Sequence, residues 1–161
     1  MDIQKDWQEI RSIVNDAYKA SRYFAFASVN PDGAPHVTPI GSLVLYDKCL
    51  GIYSEEYPQK MPVNFKQNQR VCVMAINNGI VFWLKSVIKG KFPSFPGIRL
   101  TGVVGERRKG TREEIDGWLR RVKIFKRFKG YHLLWKNMKY VREIHFDGVL
   151  PVRAGRMSSH L

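Results

Sequence analysis

Two tight-turn motifs, each lying between runs of strand-forming residues, constrain the fold more than any other feature of this sequence. In Asn30-Pro31-Asp32-Gly33, proline at the second position and a following glycine are typical of a type I turn. Asn78-Gly79 is the strongest short hairpin motif. The turns separate four strand-like runs, which are Tyr23–Val29 and His36–Tyr46 at the first turn and Val71–Ile76 and Ile80–Leu84 at the second. The sequence therefore predicts two antiparallel hairpins.

The rest of the chain alternates between apolar runs of strand length and segments with helical spacing. Apolar residues recur every three or four positions from Trp7 to Tyr18, which predicts an amphipathic helix. Thr111 and Glu114 have the spacing of a capping box, which begins another helix. The remaining predicted elements are strands at Leu50–Ser54, Ile98–Arg107 and Val141–Val152, helices around Gln59–Gln67 and Tyr131–Lys139, a loop at Lys89–Gly97 and a terminal arm at Ala154–Leu161. Hairpins without regular crossover helices predict a mainly β fold, a small antiparallel β-barrel with flanking helices.

The composition favours one folded domain over residues 1–161, because 44% of the residues are hydrophobic and can form a core. The longest uncharged run, Val71–Leu84, has 14 residues, whereas a membrane-spanning helix needs about 20. Residues Met1–Asp6 lack the basic start and apolar core of a secretion signal. Cys49 and Cys72 have no metal-binding or redox spacing, so we expect free thiols in a reducing compartment. These features predict a cytoplasmic protein.

The net charge of +13 is confined to the second half of the chain. Residues 1–80 hold 8 basic and 8 acidic residues, whereas residues 81–161 hold 19 basic and 6 acidic residues. Nine basic residues and no acid lie between Asp116 and Glu143. Such a segment attracts a polyanion, which leaves nucleic acid, an anionic membrane face and a phosphorylated ligand as candidates. A solvated basic helix face explains the same pattern without any partner.

Common catalytic and metal-binding motifs are missing from the sequence. It contains no G-x-G-x-x-G, P-loop, G-x-S-x-G or C-x-x-C. The four histidines, which are His36, His132, His145 and His160, do not have metal-ligand spacing. We therefore expect no metal site, and the sequence identifies no catalytic residue.

An ordered set of short motifs spans the first half of the chain. Asp32-Gly33-Ala34-Pro35-His36-Val37-Thr38-Pro39 enters the second strand, and the third strand ends in Ile52-Tyr53-Ser54. Gln59-Lys60, Asn64-Phe65 and Asn68–Val73 follow, and Ile98-Arg99-Leu100-Thr101-Gly102 comes later. This order and spacing resemble the pyridoxamine 5'-phosphate oxidase-like family of FMN-binding split-barrel proteins. No single motif is specific, so the resemblance depends on the ordered set.

The resemblance implies a six- to seven-stranded antiparallel split barrel that binds FMN between the subunits of a homodimer, as a flavin-dependent oxidoreductase. It places Thr38–Ser42 along the ring edge, and Tyr53 and Ser54 near the phosphate or ribityl chain. A helix N-terminus and a lysine suit a phosphate. The cofactor-binding residues implied are Thr38, Pro39, Ile40, Gly41, Ser42, Tyr53, Ser54, Gln59, Lys60 and Asn64. Each has a structural alternative: Thr38 and Ser42 as outward strand residues, Tyr53 as core, and Lys60 and Asn64 as an exposed helix face.

The sequence departs from the pattern of those family members that oxidise pyridoxine phosphates. Thr38 and Leu43 occupy positions that carry an arginine and a lysine in those members, and Gln59 replaces an arginine. The C-terminal tryptophan and Arg-Leu-His-Asp-Arg signature have no counterpart in Val141–Leu161. We therefore expect a substrate other than a pyridoxine phosphate, and replacement cations from the basic second half or from a partner subunit.

Two other interpretations remain open. Related split barrels bind the deazaflavin F420 with its polyglutamate tail, or haem, and the basic residues from Lys85 onward suit a polyanion. Alternatively, the protein is a non-enzymatic binder of nucleic acid or anionic membrane through residues 120–142. In that segment, five aromatic residues alternate with basic ones; they are Phe125, Phe128, Tyr131, Trp135 and Tyr140. Binding of this kind would weaken steeply with salt.

Overall fold

A single antiparallel sheet of seven strands forms the centre of the fold. The computed structural model describes residues 1–135 and 137–161. The strand order is β2-β1-β5-β6-β7-β4-β3, so β2 and β3 are the two edges and the sheet is not closed. This confirms the mainly β, split-barrel fold. The strands are β1 (Phe24–Val29), β2 (Pro35–Ile40), β3 (Val44–Leu45), β4 (Leu50–Ser54), β5 (Arg70–Ile76), β6 (Gly97–Lys109) and β7 (Tyr140–Val152).

The longest strands, β6 and β7, pair along their whole length and give the sheet its curvature. Their register shifts between Thr101 and Gly102 and again between Val104 and Arg107. Such irregularities bend a strand and increase its twist. At the first shift the backbones approach so closely that a Cβ on Gly102 would lie 2.5 Å from the carbonyl oxygen of His145. Glycine is therefore required at this bend.

Helix α1 (Trp7–Ser21) covers the concave side of the sheet and completes the core. Its apolar stripe is buried as the spacing predicts. The indole of Trp7 also donates a hydrogen bond of 2.7 Å to the carbonyl of Tyr46. The core residues that α1 supplies are Trp7, Ile10, Ile13, Val14, Ala17 and Tyr18, and they pack with Phe24, Phe26, Leu100 and Ile144 of the sheet.

In the part of the chain that the structure describes, four further α-helices lie outside the sheet. In α4, Thr111 Oγ1 accepts from the Glu114 amide and the Glu114 carboxylate accepts from the Thr111 amide, which confirms the predicted capping box. A 3-10 helix at Lys123–Phe125 follows α4. Within the described residues, no helix is long and apolar enough to cross a bilayer. The helices are α2 (Lys60–Phe65), α3 (Ile80–Lys89), α4 (Arg112–Arg121) and α5 (Lys129–Leu134).

The predicted second hairpin is wrong, because Ile80–Leu84 belongs to helix α3. A two-residue Asn-Gly hairpin turn needs positive φ at both central residues, but Gly79 has a φ of −63°. Instead, the side chain of Asn77 accepts a hydrogen bond of 3.0 Å from the Gly79 amide, and the helix starts there. Strand β5 pairs with β6 beyond the helix.

Other boundaries also differ from the sequence prediction, and helix α5 begins at Lys129 and ends at Leu134 where a helix was predicted from Tyr131 to Lys139. The predicted strand His36–Tyr46 is interrupted at residues 41–43, because β2 and β3 belong to opposite edges of the sheet. The predicted terminal arm is docked on the protein. Its Met157 carbonyl accepts a 3.0 Å hydrogen bond from the Phe92 amide, and Ser158 is buried in a 3-10 helix at Gly155–Ser158.

Candidate ligand-binding site

A cavity of about 560 Å³ opens at the split between the ends of β2 and β4. Residues Thr38–Ser42 and Ser54 form its strand side. Aromatic side chains form much of the remaining wall, and they come from α1, the loop between β4 and α2, α4 and the segment after α4; they are Tyr18, Tyr57, Trp118, Phe125 and Trp135. Two arginines, Arg22 and Arg121, also line it. The combination of apolar walls and a few polar groups is typical of a small-molecule site.

The structure brings together six of the ten residues implied by the resemblance. Thr38, Pro39, Ile40, Gly41, Ser42 and Ser54 all line the cavity. They meet because the chain crosses from one edge of the sheet to the other at residues 41–43, next to the end of β4. The Ser54 amide donates a 3.0 Å hydrogen bond to Ser42 Oγ and thereby fixes this crossing. Tyr53, Gln59, Lys60 and Asn64 lie elsewhere.

Tyr53 is a core residue. Its ring packs edge-on against Phe26, and its hydroxyl donates a 2.8 Å hydrogen bond to Glu55. Burial raises the pKa of Tyr53 well above its ordinary value, and the neighbouring Glu55 carboxylate raises it further. Arg142 pairs with both oxygens of Glu55 at 2.7 and 2.8 Å. The phenol is therefore part of a buried polar network rather than of the cavity wall.

The short helix α2 does not face the cavity either. Gln59 and Lys60 are exposed to solvent, and neither lines the cavity. Asn64 is buried, and its amide donates to Ser28 at 2.9 Å and to Asn30 at 3.1 Å. Asn64 thus fastens α2 to the end of β1. Gln59, Lys60 and Asn64 were expected to lie near a phosphate, but none of them lines the cavity.

Ser54 carries an orphaned hydroxyl at the cavity. Its backbone groups are occupied, because the amide donates to Ser42 Oγ and the carbonyl accepts from the same hydroxyl at 3.4 Å. Its Oγ is buried and has no hydrogen-bond partner among residues 1–135 and 137–161. An unsatisfied buried hydroxyl costs free energy, about 1–3 kcal/mol. Because Ser54 lines the cavity, a ligand that displaces the atoms now covering this hydroxyl would satisfy it.

Arg121 brings a positive charge to the cavity that the sequence did not locate. Its guanidinium lies 4.7 Å from the Tyr18 ring centre and donates a 2.7 Å hydrogen bond to the Leu43 carbonyl. No salt bridge of the described residues includes Arg121. Burial lowers the pKa of Arg121, and the desolvated charge therefore favours an anion beside it. Arg121 stands three residues after Trp118, so the two share a helix face.

Arg22 is the second cation that the sequence did not identify. It caps α1 in the left-handed conformation, with a φ of 65°, which is uncommon for a residue with a side chain. Its guanidinium lies 5.9 Å from the Tyr18 ring centre. Strained backbone of this kind concentrates at binding sites. The sequence holds no local signal for this placement, because the cavity side of α1 depends on how the helix crosses the sheet.

The basic segment 120–142 does not form one continuous surface. Arg121 faces the cavity, and Arg142 is buried in its pair with Glu55. Phe125 and Trp135 line the cavity with ring centres 5.9 Å apart, and Tyr131 is buried. Lys136, which the basic run includes, lies outside the described residues. The remaining basic side chains, which are Arg120, Lys123, Lys126, Arg127, Lys129 and Lys139, are exposed. Binding of nucleic acid or membrane through this segment stays a prediction.

Among the described residues, the cavity wall offers mainly binding groups, and the phenols of Tyr18 and Tyr57 are its candidates for proton transfer. Its lining residues include no carboxylate, histidine, lysine or cysteine within residues 1–135 and 137–161. Arginine and hydroxyl side chains bind anions, and aromatic walls hold a flat ring. The site can therefore hold a planar anionic ligand, and the catalytic residue stays unidentified.

Several solved structures share this fold at low sequence identity. HupZ of Group A Streptococcus is 17% identical with a TM-score of 0.59, over 92% of this chain and 94% of that chain. An FMN-binding protein of Syntrophomonas wolfei subsp. wolfei is 15% identical with a TM-score of 0.56, over 96% and 97%. An F420 reductase is 16% identical with a TM-score of 0.51, over 83% and 94%. These similarities show the fold.

Comparison with curated protein sequences gives no match. In contrast, the family profile described as pyridoxamine 5'-phosphate oxidase matches residues 8–145. The match includes the cavity residues of β2, β4 and α4, and it covers most of the chain. The chain therefore belongs to the pyridoxamine 5'-phosphate oxidase family.

Proposed function

We propose that the cavity binds FMN and that the protein is a flavin-dependent oxidoreductase. One observation carries the proposal: the desolvated, carboxylate-free Arg121 faces a cavity that also contains the orphaned hydroxyl of Ser54. A phosphate monoester satisfies both groups at once, because it is an anion with several acceptor oxygens. Family membership supports a flavin-type cofactor, as do an FMN-binding protein and an F420 reductase among the proteins of similar fold.

The remaining walls fit the other parts of this cofactor. A volume of about 560 Å³ is within the usual range of ligand pockets, about 300–1,000 Å³. Trp118 and Phe125 offer flat apolar surfaces for an aromatic ring system. Strand β2 is a sheet edge, so its outer backbone groups are available to the polar edge of a ring. Pro39, which has no amide donor, is tolerated at such an edge.

The two arginines explain how this chain manages without the family's usual cations. Thr38 and Leu43 stand where an arginine and a lysine are expected, and Leu43 is buried. Arg121 reaches the same place from α4, because its guanidinium is bonded to the Leu43 carbonyl. We propose that Arg121 and Arg22 together offset the phosphate charge. In this proposal, Arg121 on α4 compensates for the cation missing at Leu43, which lies in the crossing at residues 41–43.

The redox chemistry would come from the cofactor, since a bound flavin accepts and donates hydride or single electrons. The residues of the chain would bind, orient and shield it. The indole of Trp118 is held in place by a 3.1 Å contact with Met138 Sδ. Trp135 and Phe125 pack on each other across the cavity wall and reduce its contact with water. The protein side of the site is therefore a preorganised binding pocket.

A homodimer is part of the proposal, because related proteins build this site between two subunits. The open edge of β2 lies beside the cavity, and its outer face has no partner strand within the described chain. A second copy would cover this edge and part of the cavity. Sedimentation analysis of the purified protein should give twice the mass of one chain. A monomer that binds FMN fully would contradict the shared site.

Titration with FMN and with riboflavin tests the assigned phosphate contact. Arg121→Gln should weaken FMN binding about 10- to 100-fold, as expected for loss of a charged hydrogen bond, and should leave riboflavin binding unchanged. Arg120→Gln removes a neighbouring exposed arginine that does not line the cavity, and it should bind both ligands normally. Equal weakening of FMN and riboflavin by Arg121→Gln would show that the residue only supports the structure.

The absorption spectrum of the purified protein decides between the candidate cofactors. FMN absorbs at about 450 nm, a deazaflavin absorbs at about 420 nm, and haem gives an intense Soret band. Ser54→Ala should weaken FMN binding about two- to tenfold, because a neutral hydrogen bond contributes about 0.5–1.5 kcal/mol. A colourless protein that takes up none of these cofactors on titration would refute the proposal.

A further inference from the structure

Helix α3 turns an aliphatic side to solvent and packs on the protein through Phe82, Trp83 and Ser86. Five aliphatic side chains are between 58% and 81% exposed. They occupy a continuous arc of about 120° around the helix, which follows from 100° per residue. Ser86 is fully buried. A surface helix of a globular protein normally buries its apolar stripe. The exposed residues, here called the α3 aliphatic face, are Ile80, Val81, Leu84, Val87 and Ile88.

The orientation of α3 is fixed by contacts on its other side. Phe82 stacks on Phe92 with ring centres 5.6 Å apart, and Trp83 meets the same ring edge-on at 5.1 Å. The Trp83 indole donates a 2.8 Å hydrogen bond to the Asn77 carbonyl. Gly90 ends the helix in the left-handed conformation. The aliphatic face therefore cannot turn inward without breaking an aromatic cluster.

The charged residues in and next to α3 along the chain are all positive. Lys85 and Lys89 flank the aliphatic face on one side, and Lys91 follows the helix; all three are exposed. The sequence contains no acidic residue between Glu56 and Glu106. The net charge of the chain is +13. An aliphatic face bordered by lysines is the composition of helices that lie in the interface of an anionic bilayer.

We propose that α3 docks the protein on an anionic lipid surface, with the α3 aliphatic face among the acyl chains and Lys85 and Lys89 at the phosphate level. A ten-residue helix is about 15 Å long, about half the hydrocarbon thickness, so it lies in the plane of the membrane. A second copy of the chain fits this face less well. Antiparallel pairing of two copies through it brings Lys85 and Lys89 close to the lysines of the copy, and no acid on this stretch offsets them in either pairing.

Vesicle sedimentation measures this docking directly. Phosphatidylcholine vesicles with 30% phosphatidylserine, an amount of about one charged lipid in three, should bind the protein at low salt, and pure phosphatidylcholine should not. Lys85→Gln with Lys89→Gln should weaken binding about 20- to 30-fold, since each basic residue near such a surface contributes about fivefold. Lys66→Gln with Lys109→Gln removes the same charge elsewhere and should have a much smaller effect. Equal binding to both vesicle types would refute the proposal.

A second pair of variants separates α3 from the basic segment. Ile88→Gln should lower vesicle binding about tenfold, because a buried aliphatic side chain is lost from the bilayer. Leu133→Gln changes an equally exposed aliphatic residue of α5 and should leave binding intact. Both positions are exposed, so both variants should unfold at the wild-type temperature. A larger effect of Leu133→Gln, or an Ile88→Gln variant that dissociates a dimer and still binds vesicles, would overturn the proposal.

Discussion

Helices α1 and α3 have the same kind of amphipathic sequence but use it in opposite ways. In α1 the apolar stripe faces the sheet, and Ile10 is fully buried there. In α3 the apolar stripe faces solvent, and Ile88 is 75% exposed. Both helices are equally regular, and neither has a side chain capping its N-terminus. Periodicity therefore specifies that a helix forms, whereas the neighbouring elements decide which face is covered.

The difference follows from what each helix meets. Helix α1 lies across β5 and β6, whose inward side chains include Val71, Val73 and Leu100. Helix α3 meets the loop after it, where Phe92 provides the packing surface. Helix α1 covers β5 and β6, so the aliphatic residues of α3 do not enter the core there. The face of α1 is thus structural, and that of α3 is available to a partner.

The sharpest test of this contrast is the same substitution in each helix. Ile10→Ala should lower the free energy of unfolding by about 2–5 kcal/mol, because it removes buried methyl groups and leaves a cavity. Ile88→Ala should change it by less than about 0.5 kcal/mol. Urea unfolding followed by tryptophan fluorescence measures both. A loss above about 1 kcal/mol for Ile88→Ala would mean that the α3 face is covered in solution.

The sequence predicted the elements whose local signals agree with their environment. The first turn, the strand Leu50–Ser54 and the capping box at Thr111 were all confirmed. Residues 80–84 were misassigned, because a run of five apolar residues after Asn-Gly has the same composition in a buried strand and in an exposed helix. Only the φ angle of Gly79 and the pairing of β5 with β6 distinguish the two.

The same reasoning applies to the site. Thr38–Ser42 and Ser54 could be grouped in advance through the resemblance to the family, which implies that these strand ends meet at the cofactor. The burial of Tyr53 and Asn64 could not be predicted, because it depends on their hydrogen-bond partners Glu55 and Ser28. Arg121 was visible only as one of nine basic residues. Its selection depends on how α4 packs against the split, which is a long-range contact.

Helix α4 sharpens the comparison, because its N-terminus rather than a fully buried face holds it in place. Glu114 accepts from the Thr111 amide at 2.8 Å and pairs with Arg108 at 2.7 Å. The bond from Arg108 lowers the pKa of Glu114 most, and the Thr111 amide lowers it further. Glu114→Gln should therefore cost about 1.5 kcal/mol at pH 7, because it removes the charged partner of Arg108, although Glu143 still pairs with Arg108 and Gln can still accept from the Thr111 amide.

The pH dependence of this effect has a defined sign. A carboxylate with a lowered pKa in the folded state stabilises the protein above its ordinary pKa, and this stability is lost as pH falls through the lowered value. The difference in unfolding free energy between wild type and Glu114→Gln should thus shrink below about pH 4. Glu113→Gln, at an exposed neighbouring position, should show no comparable change. The assignment is contradicted if the difference in unfolding free energy is undiminished at pH 2–3, which is about one to two units below the ordinary pKa of Glu.

The smallest expected effect concerns the C-terminal caps, where α1 and α3 share a backbone conformation but not a residue type. Gly90 ends α3 with a φ of 63°, and Arg22 ends α1 with a φ of 65°. Gly90→Ala meets no atom within 4 Å, so its cost of about 1 kcal/mol would be conformational alone. Arg22→Gly should be more stable than Arg22→Ala by about 0.5–1 kcal/mol, because glycine adopts the positive φ of this cap without strain. Both Arg22 variants should bind FMN equally weakly. If Arg22→Gly and Arg22→Ala both bind FMN with wild-type affinity and still differ in stability as expected, Arg22 caps the helix and does not contact the ligand.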